Sequence, residues 1–182
     1  MLCKRRVKTT ISSMHIIETE RLFLRKFTVK DATFILELLN SPKWLQFIGD
    51  RGITEILEAQ DYIKTKFVDN YEKFGFGFYL VALKATNIPI GMCGLVKRNG
   101  LENVDIGFAF LPNYEKKGYA SEAAFATLNY AKTVLKLQRI VAITTQENTN
   151  SIQLLQKLGL QFEKIIDLAA DDRDLMLFGI NF

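Results

Sequence analysis

A mixed α/β domain is the fold class this sequence predicts, on three observations. Val104–Leu111 reads as a strand, Gly118 to about Leu135 as a helix and Arg139–Thr145 as a second strand, so together they make a βαβ unit. Ile140, Val141, Ala142 and Ile143 form a run continuous enough for a strand buried on both faces. The helix carries a stripe of Ala120, Ala124, Leu128, Ala131 and Leu135 at spacings of four, four, three and four. At 182 residues, 48% hydrophobic and 24% charged, the chain suits one globular domain with a substantial core.

The remaining elements follow in order. His15–Phe27 alternates apolar and polar residues through Ile17, Leu22, Leu24 and Phe27, and reads as one half-buried strand. Val29–Leu39 reads as a helix with Phe34, Ile35, Leu38 and Leu39 on one side, ended near Ser41-Pro42. A second helical stretch runs from Thr54, its expected N-cap, to about Lys73, with Gly75 and Gly77 at its end. Strands are expected at Phe78–Leu83 and Ile90–Val96, and Asn99-Gly100 signals a hairpin into the strand at 104. After Thr145, Ser151–Leu158 reads as a short helix stopped by Gly159. Phe162–Leu168 and Leu175–Phe182 are the last strands, separated by the acidic turn AADDRD. There is no internal repeat, low-complexity tract or linker.

The stretch DIGFAFLPNYEKKGYASEA, residues 105–123, is a strand that stops at a proline, crosses a polar loop and opens a helix at Gly118. A helix start leaves unpaired N–H groups and the positive end of the dipole, both suited to a phosphate. Gly118 permits close backbone approach, Ala120 adds little bulk, and Lys116 and Lys117 stand at the mouth. A strand-loop-helix turn also carries such residues for packing alone.

Charge and residue counts exclude several chemistries. Lys4, Arg5, Arg6 and Lys8 supply as many positive charges as the whole net charge of +4, and residues 1–13 contain no acid. The basicity belongs to that leader, expected to be disordered, and not to a domain at 14–182, so a nucleic-acid surface is not expected. No apolar run approaches the length of a membrane span, and the start lacks the apolar core of a secretory signal. Cys3 and Cys93 cannot form a disulfide framework, which suits a reducing cytoplasm. His15 is the only histidine, so His-rich metal sites and His-containing triads are excluded.

Three segments together carry a family resemblance: ETERLFLRKFTVKDA at 18–32, the 105–123 stretch, and ENTNSIQLLQKLGLQFEK at 147–164. Their order and spacing resemble the GCN5-related N-acetyltransferases (GNAT), and within them the ribosomal-protein alanine (RimJ/RimL-like) branch. The resemblance implies a central, mostly antiparallel sheet with a parallel splayed strand pair and flanking helices. It implies acetyl-CoA as cofactor and acetyl transfer to a primary amine, either a protein N-terminal α-amine or a small-molecule amine. Two residues depart from the family's pattern. Glu115 stands where Gln or Arg is usual, beside the expected diphosphate, and its side chain either weakens cofactor binding or turns outward. Leu155 stands where many relatives carry a tyrosine that protonates the leaving thiolate.

By the same resemblance, Phe110 and Leu111 offer main-chain groups to the pantetheine arm, and Lys116, Lys117, Gly118, Tyr119 and Ala120 cradle the diphosphate. Ser121 either donates its hydroxyl there or caps the helix. Asn148 orients cofactor or substrate, or is a plain N-cap; Ser151 bonds the departing thiolate, or is a cap. Asp105 and Glu102 are the candidate general bases, the alternative for each being a solvated edge residue. Trp44 and Phe47 line the acceptor pocket or pack in the core. Direct transfer in a ternary complex is favoured, since no nucleophile–histidine pair exists and Cys93 reads as a buried structural thiol. An α-amine, with a reference pKa near 7.8 against about 10.4 for lysine, asks less of a site without a histidine base. The competing class is a non-catalytic acyl-CoA-binding module with the same fold, motivated by Glu115 and Leu155. Monomer and homodimer both remain open, the C-terminal strands being able to pair between subunits.

Overall fold

A tight turn breaks the first strand in two. The computed structural model describes residues 15–168 and 171–182; the expected leader at 1–13 lies outside the described residues. β1 (His15–Glu18) and β2 (Leu22–Lys26) pair antiparallel where one strand was expected. Thr19 is the reason: its N–H donates to the Leu22 carbonyl at 2.9 Å and its Oγ1 accepts the Leu22 N–H at 3.0 Å, closing the turn.

Next comes α1 (Ala32–Leu39), entered through a 3-10 turn at Val29–Asp31. Asp31 is buried there, with both carboxylate oxygens bonded by Arg25 at 2.7 and 2.8 Å. Ser41-Pro42 then starts a helix instead of only ending one. α2 (Pro42–Phe47) follows because the fixed φ of Pro42 suits a first helical turn and its missing N–H costs nothing there.

The expected helix from Thr54 is a composite. α3 (Ile56–Ile63), a π turn (Lys64–Val68) and α4 (Asp69–Phe74) run on without a break. Its N-cap is Glu55, not Thr54, because the Glu58 carboxylate accepts the N–H groups of both Thr54 and Glu55, at 2.7 and 3.1 Å. Gly75, at φ +78°, ends it in the left-handed conformation.

β3 (Phe78–Leu83), β4 (Pro89–Val96) and β5 (Val104–Phe110) form an antiparallel meander, with the hairpin that Asn99-Gly100 signals between β4 and β5. A second 3-10 turn, Pro112–Tyr114, leads to α5 (Tyr119–Thr133), then β6 (Arg139–Thr145), α6 (Thr149–Lys157), β7 (Gln161–Leu168) and β8 (Asp171–Asn181). β8 begins four residues earlier than expected, so the acidic turn is shorter than six residues.

The strands make one eight-stranded sheet in the order β1-β2-β3-β4-β5-β6-β8-β7. Every neighbouring pair is antiparallel except β5 and β6. That parallel pair holds only at Val104–Ile140 and Asp105–Val141, and beyond it the two strands diverge. α5 packs on β1, β2, β4 and β5, and α6 on β6. The buried apolar residues join in one cluster that includes Phe67, Tyr79, Ile106 and Phe178. Among the described residues, no helix is long and apolar enough to cross a membrane.

Candidate active site

Where β5 and β6 part, their facing backbone groups lose each other as partners. The Leu111 N–H bonds the Ile90 carbonyl at 2.9 Å, so it points toward β4. Amides alternate along a strand, and the Phe110 and Phe108 N–H groups therefore face the gap on the β6 side. A cavity of about 990 Å³ opens there, of a size usual for cofactor sites. Gly107, Phe108 and Phe110 line it from β5, and Ala142 and Ile143 from β6.

One end of the cavity is the loop before α5. Lys116 and Gly118 both have positive φ, +57° and +81°. At φ +81° any L side chain in place of Gly118 is strained, and a Cβ there would stand 3.3 Å from Arg21 Nη2, which would have to shift slightly. It offers no capping side chain, so the first N–H groups of the 15-residue α5 have no side-chain cap. The first-turn acid does not serve as one either. Glu122 is drawn to the β1–β2 turn, where Arg21 Nε donates to Oε2 at 2.7 Å and Thr19 Oγ1 donates to Oε1 at 2.5 Å. Arg21 also donates to the Lys117 carbonyl at 3.1 Å and lies over the Tyr119 ring, fixing the loop from outside.

Glu115 neither turns away nor stands bare. Its carboxylate lines the cavity and pairs with Lys43 Nζ of α2, so a cation neutralises it at the mouth. This pair joins the loop before α5 to α2.

At the apex of the divergence lies Asp105, 1% exposed and lining the cavity. Arg98, from the loop after β4, donates to its Oδ2 through Nε at 2.9 Å and Nη2 at 2.8 Å. Oδ1 is buried and accepts no hydrogen bond. Desolvation pushes the Asp105 pKa up to about 6, against the opposing charge and hydrogen bonds of Arg98. The Ile143 N–H of β6 also favours the ionised form, without completing a bond to Oδ1. A carboxylate with one oxygen anchored and the other unpaired is equipped to take a proton. The edge-residue alternative does not describe Asp105.

Other sequence-expected residues fall unevenly. Lys116, Gly118, Tyr119, Ala120, Ser121, Asn148 and Ser151 all line the cavity. Asn148 Oδ1 caps α6 by accepting the Ser151 N–H at 3.2 Å, which leaves its amide NH₂ for the cavity. Trp44 lines the cavity while only 4% exposed, so wall and core roles coincide; its Nε1 donates to the Gly49 carbonyl at 3.1 Å. Phe47 lines it too. Leu111 is buried outside the lining, and Lys117 is exposed outside it. Glu102 is exposed and is not brought to the cavity; its carbonyl accepts from Lys97 Nζ. Leu155 lines the cavity with an apolar side chain, and Cys93 is buried, its thiol pushed up to about 12 by desolvation.

Sequence reasoning missed Lys43, Arg51, Tyr62, Lys66 and Arg98, all of which line the cavity. Only the spacing of Tyr62, Lys66 and Asn70 at four-residue intervals marked a shared helix face. Among the described residues no cluster of metal-ligating side chains exists.

Comparison with known proteins agrees with this geometry. The sequence pattern of the acetyltransferase (GNAT) domain matches residues 21–161. The uncharacterized N-acetyltransferase YnaD of Bacillus subtilis strain 168 is 35% identical over 150 residues, covering 82% of this chain and 84% of its own. The crystal structure of a GNAT-family acetyltransferase from Bacillus anthracis superposes with a TM-score of 0.75 at 30% identity, covering 91% of this chain and 97% of that one. At 16% identity the fold is still shared with RimL, a ribosomal L7/L12 α-N-protein acetyltransferase solved with coenzyme A (TM-score 0.76, covering 90% and 95%).

Proposed function

From the premise that the chain belongs to the GNAT acetyltransferase family and uses acetyl-CoA, we propose that it acetylates a primary amine by direct attack, with Asp105 as general base. The acceptor is a protein N-terminal α-amine or a small-molecule amine. The observation that carries the reading is the unpaired, buried Oδ1 of Asp105 at the apex of the cavity.

The pantetheine arm fits the gap between β5 and β6 as an extra strand, bonded by the Phe108 and Phe110 amides. The diphosphate meets the loop of Lys116 and Gly118 and the uncapped N–H groups of Tyr119, Ala120 and Ser121. The amine nitrogen attacks the thioester carbonyl and a C–N bond forms; a β5 amide in the gap stabilises the oxyanion. Asp105 takes the amine proton. The C–S bond then breaks, and the thiolate takes up a proton from solvent that balances the one Asp105 removes from the amine and later releases. With Leu155 apolar, the Ser151 hydroxyl is the group assigned to that departing sulfur. A base with a pKa near 6 is ionised at neutral pH and remains close enough to it to accept a proton effectively.

The test is Asp105→Asn, assayed for acceptor-dependent thiol release and, separately, for coenzyme A affinity. We expect kcat to fall by about 100- to 1000-fold, the range for a general base, with coenzyme A affinity within about twofold. Unchanged kcat would remove Asp105 from the mechanism.

A further inference from the structure

The acceptor half of the cavity carries a charge pattern that narrows the kind of amine it receives; this inference rests on the acetyl-transfer reading above. Arg98 is committed to Asp105. Two more cations line the same half, Arg51 after α2 and Lys66 in the π turn, and neither has a carboxylate within 4 Å among the described residues. Arg51 makes a long contact, 3.4 Å, to the Ile48 carbonyl and a side-chain hydrogen bond to the Tyr62 hydroxyl. The Tyr62 hydroxyl is close enough to Arg51 and Arg98 to feel both charges, so Arg51, Tyr62, Arg98 and Asp105 are one cluster.

A second observation points the same way. The continuous helix wall opposite β5 contains the π turn at Lys64–Val68, and Tyr62, Lys66 and Asn70 all line the cavity across it. Such turns distort regular helix and are frequent at functional sites. Here the distortion lies in the wall that presents a phenol, a cation and an amide together.

We propose that the acceptor is a primary amine that also bears a carboxylate, held by Arg51 and attracted by Lys66. Arg51 offers a planar fork of donors matched to a carboxylate, while Tyr62 and Asn70 supply neutral hydrogen bonds that orient the rest. The amine is thereby directed toward Asp105. A polyamine would bring further ammonium groups against two uncompensated cations, and the same arrangement selects against it.

The carboxylate has two sources, the α-carboxylate of a free amino acid and an acidic side chain near a peptide N-terminus. The experiment therefore compares two matched pairs on the full chain at saturating acetyl-CoA: free amino acids with their carboxamides, and acidic N-terminal peptides with their Asn/Gln counterparts. Spermidine is the third arm. The acidic member of at least one pair should exceed its neutral partner at least tenfold in kcat/KM, and that pair identifies the source. Spermidine should be the poorest acceptor. Arg51→Met should reduce the preference to below threefold through KM, and Arg51→Lys should restore part of it. Equal rates within both pairs, or spermidine as the best acceptor, would overturn the proposal. Absence of thiol release with every amine would instead defeat the acetyl-transfer reading. Calorimetric binding of the same pairs to the coenzyme A complex then still decides the acceptor class.

Discussion

The two halves of the cavity are built from different materials. The cofactor half is mostly backbone: diverging strand edges, two left-handed residues at Lys116 and Gly118, and the uncapped start of α5. The acceptor half is mostly side chain: Trp44, Phe47, Arg51, Tyr62, Lys66 and the Arg98–Asp105 pair. A backbone site is set by the fold and tolerates side-chain change except where a residue fixes the conformation itself. A side-chain site can be rebuilt one substitution at a time, so acceptor choice can change while the cofactor stays the same. Ablating Asp105 should therefore damage chemistry far more than cofactor binding, the largest expected effect.

Gly118→Val should break the cofactor half in the opposite sense. A β-branched residue at φ +81° costs roughly 1–3 kcal/mol of strain, and its side chain would also crowd Arg21. If the loop relaxes to relieve it, coenzyme A affinity falls about 10- to 100-fold by equilibrium titration. Similar affinity for the variant would show that the loop conformation does not matter to the diphosphate.

The Lys43–Glu115 pair bridges the halves and should give a smaller effect, because both side chains remain partly exposed to solvent and such pairs are weak. Lys43→Met leaves a bare carboxylate beside the diphosphate and should weaken coenzyme A about fivefold. Glu115→Gln should tighten it about twofold, and the double variant should return near wild type. A double variant as weak as Lys43→Met alone would mean that Lys43 contacts the cofactor directly.

Legibility in the sequence divides along the same line. The βαβ unit and the meander were readable because their periodicities are local and long. Gly118 was readable because a glycine after a polar loop at a helix start permits close backbone approach; its positive φ is a structural finding. Asp105 was readable as a candidate through family resemblance, but its burial and its Arg98 clamp come from β5 meeting β6, which no local pattern encodes. Of the acceptor wall only Trp44 and Phe47 were readable. α2 hid behind Pro42, which serves equally to end one helix or to begin another. The π turn has no compositional mark, so the alignment of Lys66 with the cavity is a tertiary fact. Glu102 and Asp105 are both acids near the same hairpin, three residues apart, and strand pairing alone separates the exposed one from the buried one.

The central claim is that chemistry depends on one buried carboxylate in a side-chain half while cofactor binding depends on a backbone half. It is tested most directly by the pH dependence of kcat at saturating substrates, measured beside the pH dependence of coenzyme A affinity. Asp105 is raised to about 6 and must be ionised to act, so kcat should fall as pH drops through about 6 and level off above it. Coenzyme A affinity should lack that inflection, and Asp105→Asn should abolish it in kcat. An acidic limb that persists in Asp105→Asn, or that appears equally in cofactor affinity, would contradict the account.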